Sequence, residues 1–331
     1  MKQRLVGVGC CAFVLAAGSV VKAEGRGASL EDRRGAVQRA LPYIARQTGT
    51  WIEQKKCTSC HQVPHALWAM NEARAGGFAV DKRLAEWNRW SVEFVLRETD
   101  KPQGNETRAR ERADQLYQML LSGASSKVEA DRGSDDPRDQ LVPLLVMGQQ
   151  EDGYWHAGGQ LPGQKRPKQE TNEVTTLWSL HTLQSHGGDG ERVKAARERA
   201  KAKLEARSTS LEHLVLRYLL AVDEGQSARA SALRSDILAH QNDDGGWGWL
   251  LTGVSDALAT GQALYGLSYI EPVHRHEAVE RAHRFLVRTQ QTDGSWRVPS
   301  TLEEKNGQPY VVSNDWGTAW AVIGLTRTVR Q

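Results

Sequence analysis

Three copies of one heptapeptide, QxxDGxW, constrain the fold of this chain more than anything else in it. They run Gln149-Gln-Glu-Asp152-Gly153-Tyr-Trp155, Gln241-Asn-Asp-Asp244-Gly245-Gly-Trp247 and Gln290-Gln-Thr-Asp293-Gly294-Ser-Trp296. A motif that returns at a fixed interval marks a repeat architecture, in which each unit is one small hairpin stacked on its neighbours. The tryptophans set the interval: 49 residues separate Trp247 from Trp296, and 92, twice 46, separate Trp155 from Trp247. A weaker copy, Gln47-Thr-Gly49-Thr-Trp51, lacks the aspartate and stands 104 residues, twice 52, before Trp155. Two further units keep the length without the motif, which makes six units between about residue 31 and the end.

Each unit reads as two helices, with Asp-Gly in the turn between them because glycine accepts a positive φ. The first helices are polar and charged, as in Glu191 to Arg207 and His274 to Gln290. Ala278, Ala282, Phe285 and Leu286 recur there at helical spacing, as on an outer surface helix. The second helices, Thr175 to Leu183, Leu211 to Val222, Ser255 to Ile270 and Trp316 to Leu325, are apolar on most sides and belong in the interior. Six such hairpins close into an all-α, double-layered α/α toroid, because closure buries every inner helix and leaves no end unit to cap. An open solenoid of the same hairpins is the alternative. Lys101 to Arg112 and Gly133 to Arg138 read as loops or helix ends, and no linker divides residues 24–331, which are expected to form one domain.

QxxDGxW followed by an apolar helix resembles the QW repeat of the triterpene cyclases and the related protein prenyltransferase β-subunits, over most of residues 140–331. The resemblance implies that Gln149, Trp155, Gln241, Trp247, Gln290 and Trp296 tie neighbouring helix ends together, a structural role. Aligning the inner helices by the repeat puts Trp68, Trp178, Tyr265 and Trp320 at matching places. In the cyclases such aromatics line a central cavity for an apolar polyprenoid; packing of rings between helices is the plainer reading of each one alone. Together they lead us to expect an apolar central pocket and an apolar small molecule, isoprenoids included, as its ligand. The relatives' chemistry does not carry over. The DxDD acid of the cyclases is absent, Asp243-Asp244 belonging to a repeat turn, and the GCGEQ thioester sequence is absent too. The prenyltransferases' zinc site needs a separated aspartate, cysteine and histidine, which Cys57, paired with Cys60, does not suggest. A terpenoid cyclase is therefore the third-ranked function.

The chain opens with Lys2 and Arg4, an apolar run from Leu5 to Val21, and Val21-Lys22-Ala23, which together read as a secretory signal cut after Ala23. The expected location is the periplasm or outside the cell, with no segment long enough to span a bilayer. Cleavage removes Lys2, Arg4 and Lys22, so 43 basic residues against 40 acidic become 40 against 40, which gives no electrostatic case for nucleic acid. Cys10 and Cys11 leave with the signal and lack the leucine that precedes a lipidated cysteine.

That leaves Lys56-Cys57-Thr58-Ser59-Cys60-His61-Gln62, the attachment signature of c-type haem. In it Cys57 and Cys60 add to the two vinyl groups and His61 ligates the iron; export before attachment agrees with the signal. Zinc held by Cys57, Cys60 and His61 or His65 lacks an evident fourth ligand. A redox CxxC would sit in a βαβ context, and a Cys57–Cys60 disulfide would close a tight, strained loop. His65 and Met70 share a helix face with His61 and do not suit the opposite side of the same haem; Met119, Met147, His156 or an open position remain for the sixth ligand. His181, His213 and His283 read as ordinary helix residues. In repeat register His61 precedes Trp68 by seven residues, as Thr171 precedes Trp178 and Ser313 precedes Trp320, which places it at the barrel mouth.

Two functions are consistent with these features. The first is an exported haem toroid that transfers electrons to a redox partner protein or, as an oxidoreductase, oxidises an apolar molecule. The second is a non-enzymatic toroid that binds a lipid, peptide or protein, braced by zinc or a disulfide at Cys57 and Cys60.

Overall fold

The structure is a computed structural model that describes residues 28–58, 62–99, 105–123, 136–158, 161–269, 276–305, 307 and 310–329. The signal at residues 1–23 and, within the CxxCH sequence, Ser59, Cys60 and His61 lie outside the described residues.

Outer helices α1 (Leu30–Lys55), α3 (Leu84–Thr99), α6 (Pro137–Met147), α8 (Glu191–Lys201), α10 (Ser227–Ala239) and α12 (Glu277–Thr289) alternate with inner ones. The inner set is α2 (Val63–Ala75), α5 (Ala113–Leu121), α7 (Lys168–His186), α9 (Leu211–Asp223), α11 (Ala257–Leu267) and α13 (Val311–Val329). A short α4 (Asn105–Glu111) sits between α3 and α5. Six hairpins result, as the spacing of the repeat requires. The inner helices pack in chain order from α2 through α5, α7, α9 and α11 to α13, and α13 packs in turn on α2. α1 meets α12 on the outside. The ring is closed, and the open solenoid is excluded.

Sequence explains the layering. α12 buries Ala278, Val279, Ala282, Phe285 and Leu286 along one stripe and gives its charged residues to the surface. Every residue of α11 is buried. It lies so close to α13 that a Cβ on Gly261 would stand 2.3 Å from the carbonyl oxygen of Trp320, so only glycine permits that approach.

Three expectations need correction. Gln47 to Trp51 is not a turn but the interior of α1, which continues to Lys55 and ends at Lys56 with φ +50°. Without the aspartate that starts the turn in the full copies, nothing stops the helix. Within Lys101 to Arg112, read as a loop or helix end, a separate short helix α4 forms. α7 and α13 start at Lys168 and Val311, earlier than their apolar stretches; in those first turns Glu170 accepts from the N–H groups of Thr209 and Ser210, and Asn314 accepts from the Val298 N–H.

Candidate functional site

The three QxxDGxW turns join α6 to α7, α10 to α11 and α12 to α13, and they share one geometry. The aspartate side chain accepts from the N–H two residues on, at 3.0 Å in each copy. The indole N–H of Trp155, Trp247 and Trp296 donates back to the preceding outer helix, to the carbonyls of Leu145, Ile237 and Leu286 at 2.6, 2.7 and 2.9 Å. The backbone N–H of each tryptophan donates forward to a threonine of the following inner helix: Thr176, Thr260 and Thr318. The glutamines reach sideways. Gln149, Gln241 and Gln290 each donate at 2.8 Å to a carbonyl of the next outer helix, that of Ala196, Ala278 and Ala36. Arg199 and Arg39, one turn further along those helices, donate to the amide oxygens of Gln149 and Gln290. Sequence reading missed this receptor, although Ala36, Ala196 and Ala278 are each followed three residues later by arginine.

Trp68, Trp178, Tyr265 and Trp320 come together on the ring axis. Trp68 lies 5.8 Å from Trp178, 5.4 Å from Tyr265 and 5.2 Å from Trp320, centroid to centroid, largely edge to face. None is more than 3% exposed, so the rings fill the axis at this level instead of facing an open space.

All six inner helices run the same way, and their N-terminal ends form one mouth. Carboxylates gather there, where helix dipoles favour negative charge. Burial pushes Asp114 of α5 up to about 6 even though the Gly158 N–H and the Thr175 hydroxyl donate to it. Asp256, the N-cap of α11, is pushed up to about 6 by the same cause. Burial raises Asp315 of α13 as well; it accepts from Tyr43 and Gln62 at 2.6 Å each. Glu173 is also pushed up by burial, but hydrogen bonds from His213 and from the N–H groups of Glu205 and Ala206 outweigh this and hold it below its ordinary value. Glu212 pairs with Arg166 at 2.8 Å and accepts from the Trp178 indole at 3.0 Å. Among the described residues, the amide of Gln262, 1% exposed, has no hydrogen-bond partner for either polar atom. Sequence reading passed over all of these groups, although Glu173 and Asp315 share a repeat position, five residues before Trp178 and Trp320.

Cys57 sits at the same mouth, on the connection from α1 to α2. It is a half-buried free thiol, and its carbonyl accepts from the Trp51 indole at 3.0 Å. Arg112 lies within its electrostatic reach. Of the candidates for a sixth ligand, Met119 is fully buried in the core and Met147 is exposed at the end of α6. His156 contacts Asp152 at 2.7 Å beside a cleft of about 400 Å³ that Thr107, Arg110 and Gln150 also line.

At the opposite end of the ring the inner helices bring together His181, Asp223, Tyr265, Tyr269, Arg327 and Glu72. His181 Nδ1 is 2.7 Å from Asp223 Oδ2, and its Nε2 is 3.2 Å from the Tyr265 hydroxyl. Arg327 spans the end, its guanidinium 4.6 Å from the Tyr265 ring centroid and 2.8 Å from Glu72 Oε1.

Residues 201–331 match the squalene-hopene cyclase C-terminal domain family. No curated protein is significantly similar to the chain in sequence. Among solved structures, a variant of unsaturated glucuronyl hydrolase from Streptococcus agalactiae is similar, with a TM-score of 0.62 at 13% identity over 92% of each chain. A possible member of the GH105 family from Salmonella enterica gives 0.58 at 13% identity over 97% of this chain and 99% of that one. The type II terpene cyclase MstE from Scytonema, in complex with its product merosterolic acid A, gives 0.54 at 14% identity over 91% and 98%. At these identities the likeness is one of fold: the chain is an α/α toroid of the kind that terpene cyclases and glycoside hydrolases use. Among the described residues no helix is long and apolar enough to cross a membrane.

Proposed function

We propose that this chain is an exported toroid that carries haem covalently bound through Cys57 and Cys60, with His61 ligating the iron, and that it exchanges electrons with a partner or an apolar molecule at the mouth of the ring. The observation that carries the reading is the place of Cys57: it lies on the connection from α1 into α2 at that mouth, a half-buried free thiol that packs partly against the core. The hydrogen bond from Trp51 fixes the backbone at Cys57 and so limits the directions its sulfur can take. When bound, the haem supplies one-electron chemistry.

An apolar partner is supported by Met147, Val254 and Val311, large exposed side chains that all stand on connections or helix ends at the mouth. The Scytonema cyclase holds merosterolic acid A in the same fold. Below the mouth the axis is filled by rings, so the ligand of this chain belongs at the rim.

The test is to produce the full chain with its signal in a host that matures c-type cytochromes, then to record intact mass and a pyridine haemochrome spectrum. We expect haem that survives acid–acetone extraction and disappears in Cys57→Ser, Cys60→Ser. A purified chain of unmodified mass, with both thiols free or holding zinc, would overturn the proposal in favour of a binding toroid.

A further inference from the structure

The cluster at the end of the ring away from the CxxCH connection takes no part in holding haem or in the repeat junctions. His181 and Tyr265 are 3% and 1% exposed, and Tyr269, at 38%, reaches the surface. Asp223 takes the Nδ1 side of His181, which puts the proton on Nδ1 and leaves Nε2 as a lone-pair acceptor. Both phenols point at that atom, Tyr265 from 3.2 Å and Tyr269 from 3.4 Å, and they are 3.4 Å from each other. Arg327 lies over both rings, and Glu72 offsets its charge. The phenols are also the end of a continuous aromatic column. From His65 it passes to Trp320 at 5.8 Å, to Tyr265 at 5.6 Å and to Tyr269 at 5.9 Å, with Trp68 and Trp178 packed alongside.

We propose that Tyr265 and Tyr269 are a redox-active tyrosine pair, with His181 as their proton acceptor and the tryptophan column as the route by which the electron leaves. In the oxidising step one electron passes from a phenol along Trp320 and its neighbours to a one-electron oxidant at the mouth. The O–H bond breaks, its proton moves to His181 Nε2, and a neutral phenoxyl radical remains while Asp223 stabilises the imidazolium. Return of one electron and that proton restores the phenol. The coupling is enforced by burial, because a phenol radical cation beneath the Arg327 guanidinium would add a second positive charge to this interior. Burial likewise raises the Tyr265 hydroxyl well above its ordinary value, so the phenol does not ionise first. The inference rests on the haem reading for its natural oxidant, an oxidised haem iron, but not for its test.

The test uses the full mature chain as purified and an external photo-oxidant, flash-generated ruthenium(III) tris-bipyridine, with electron paramagnetic resonance and transient absorption as readouts. We expect a tyrosyl signal that is lost in Tyr265→Phe, Tyr269→Phe, and forms more slowly in His181→Gln, whose amide keeps a hydrogen bond but takes no proton. In the unaltered chain its formation should slow in deuterated water. A signal that survives the double tyrosine variant, and so resides on Tyr43, Tyr117, Tyr154, Tyr218 or Tyr310, would overturn the proposal. A rate indifferent to deuterium would do the same, and needs no variant to fold. Because the oxidant is external, a chain without haem that still forms the radical defeats the proposed function alone, and a haem-bearing chain that forms none defeats the relay alone.

Discussion

Gly294 shows how much one residue can carry. Its φ is +87°, and a Cβ there would stand 2.1 Å from the carbonyl oxygen of Arg39 on α1. Gly77 has a similar φ of +77° with nothing within 4 Å. Alanine at Gly77 meets only the backbone cost of about 1–2 kcal/mol. At Gly294 overpacking adds about 1–3 kcal/mol more, and urea unfolding of the two variants should separate them in that order. A second residue-scale outcome concerns Asp256, whose carboxyl titrates at about 6 when folded, against 3.8 for an exposed aspartate. The folded state then holds the extra proton between those values. Its contribution is present below about pH 4 and is lost as pH rises to about 6, by up to about 1.4 kcal/mol per unit. Asp256→Asn keeps a cap acceptor and removes the titration. The variant should therefore gain on the parent as pH rises from 4 to 6, and a difference that stays flat with pH would refute the burial account. Sequence made Gly294 legible, since it stands in a repeated motif. Asp256 was hidden, because its carboxyl is shifted by what closes over it and not by its neighbours in the chain.

Between elements the same junction recurs, and it recurs at the closure. Gln241 links α10 to α12, whereas Gln290 links α12 to α1 across a separation of 254 residues, with the same 2.8 Å bond. If closure is simply one more repeat interface, Gln290→Ala and Gln241→Ala should destabilise alike, by about 1–3 kcal/mol for the turn carbonyls of Gly294 and Gly245 left without the amide donor. A double-mutant cycle between Gln290 and Arg39, which are bonded at 3.1 Å, should show coupling; additivity would mean the junction is incidental. Hairpin number and the outer and inner roles were readable because hydrophobic pattern and spacing agreed. The weak copy at Gln47 misled because a spacing match without the turn-forming aspartate cannot end a helix. The cluster around His181 stayed invisible for a different reason. Aligning units on their aromatic positions says nothing of the residues one or two turns later, where Glu72, His181, Tyr269 and Arg327 each continue the same helix face as Trp68, Trp178, Tyr265 and Trp320.

At the scale of the whole molecule, closure changes what a unit is worth. In a linear stack, deleting the last repeat removes one interface and leaves the others intact. Here α13 packs on both α11 and α2, so deleting α12 and α13 removes two inner interfaces and the α1 to α12 contact together. The apolar anchors that would go include Trp320, Ile323 and Leu325, each at most 1% exposed. Large buried side chains contribute about 2–5 kcal/mol apiece, so three of them rival the entire ~5–15 kcal/mol of a typical domain. The truncated chain also uncovers α11, which has no polar face to offer water. A chain ending before residue 276 should thus lose its cooperative urea transition and near-ultraviolet dichroism altogether, while the intact chain unfolds in a single step. A truncated chain that kept a sharp transition with a proportionally smaller m-value would instead show that the six hairpins behave as a stack that happens to touch at its ends.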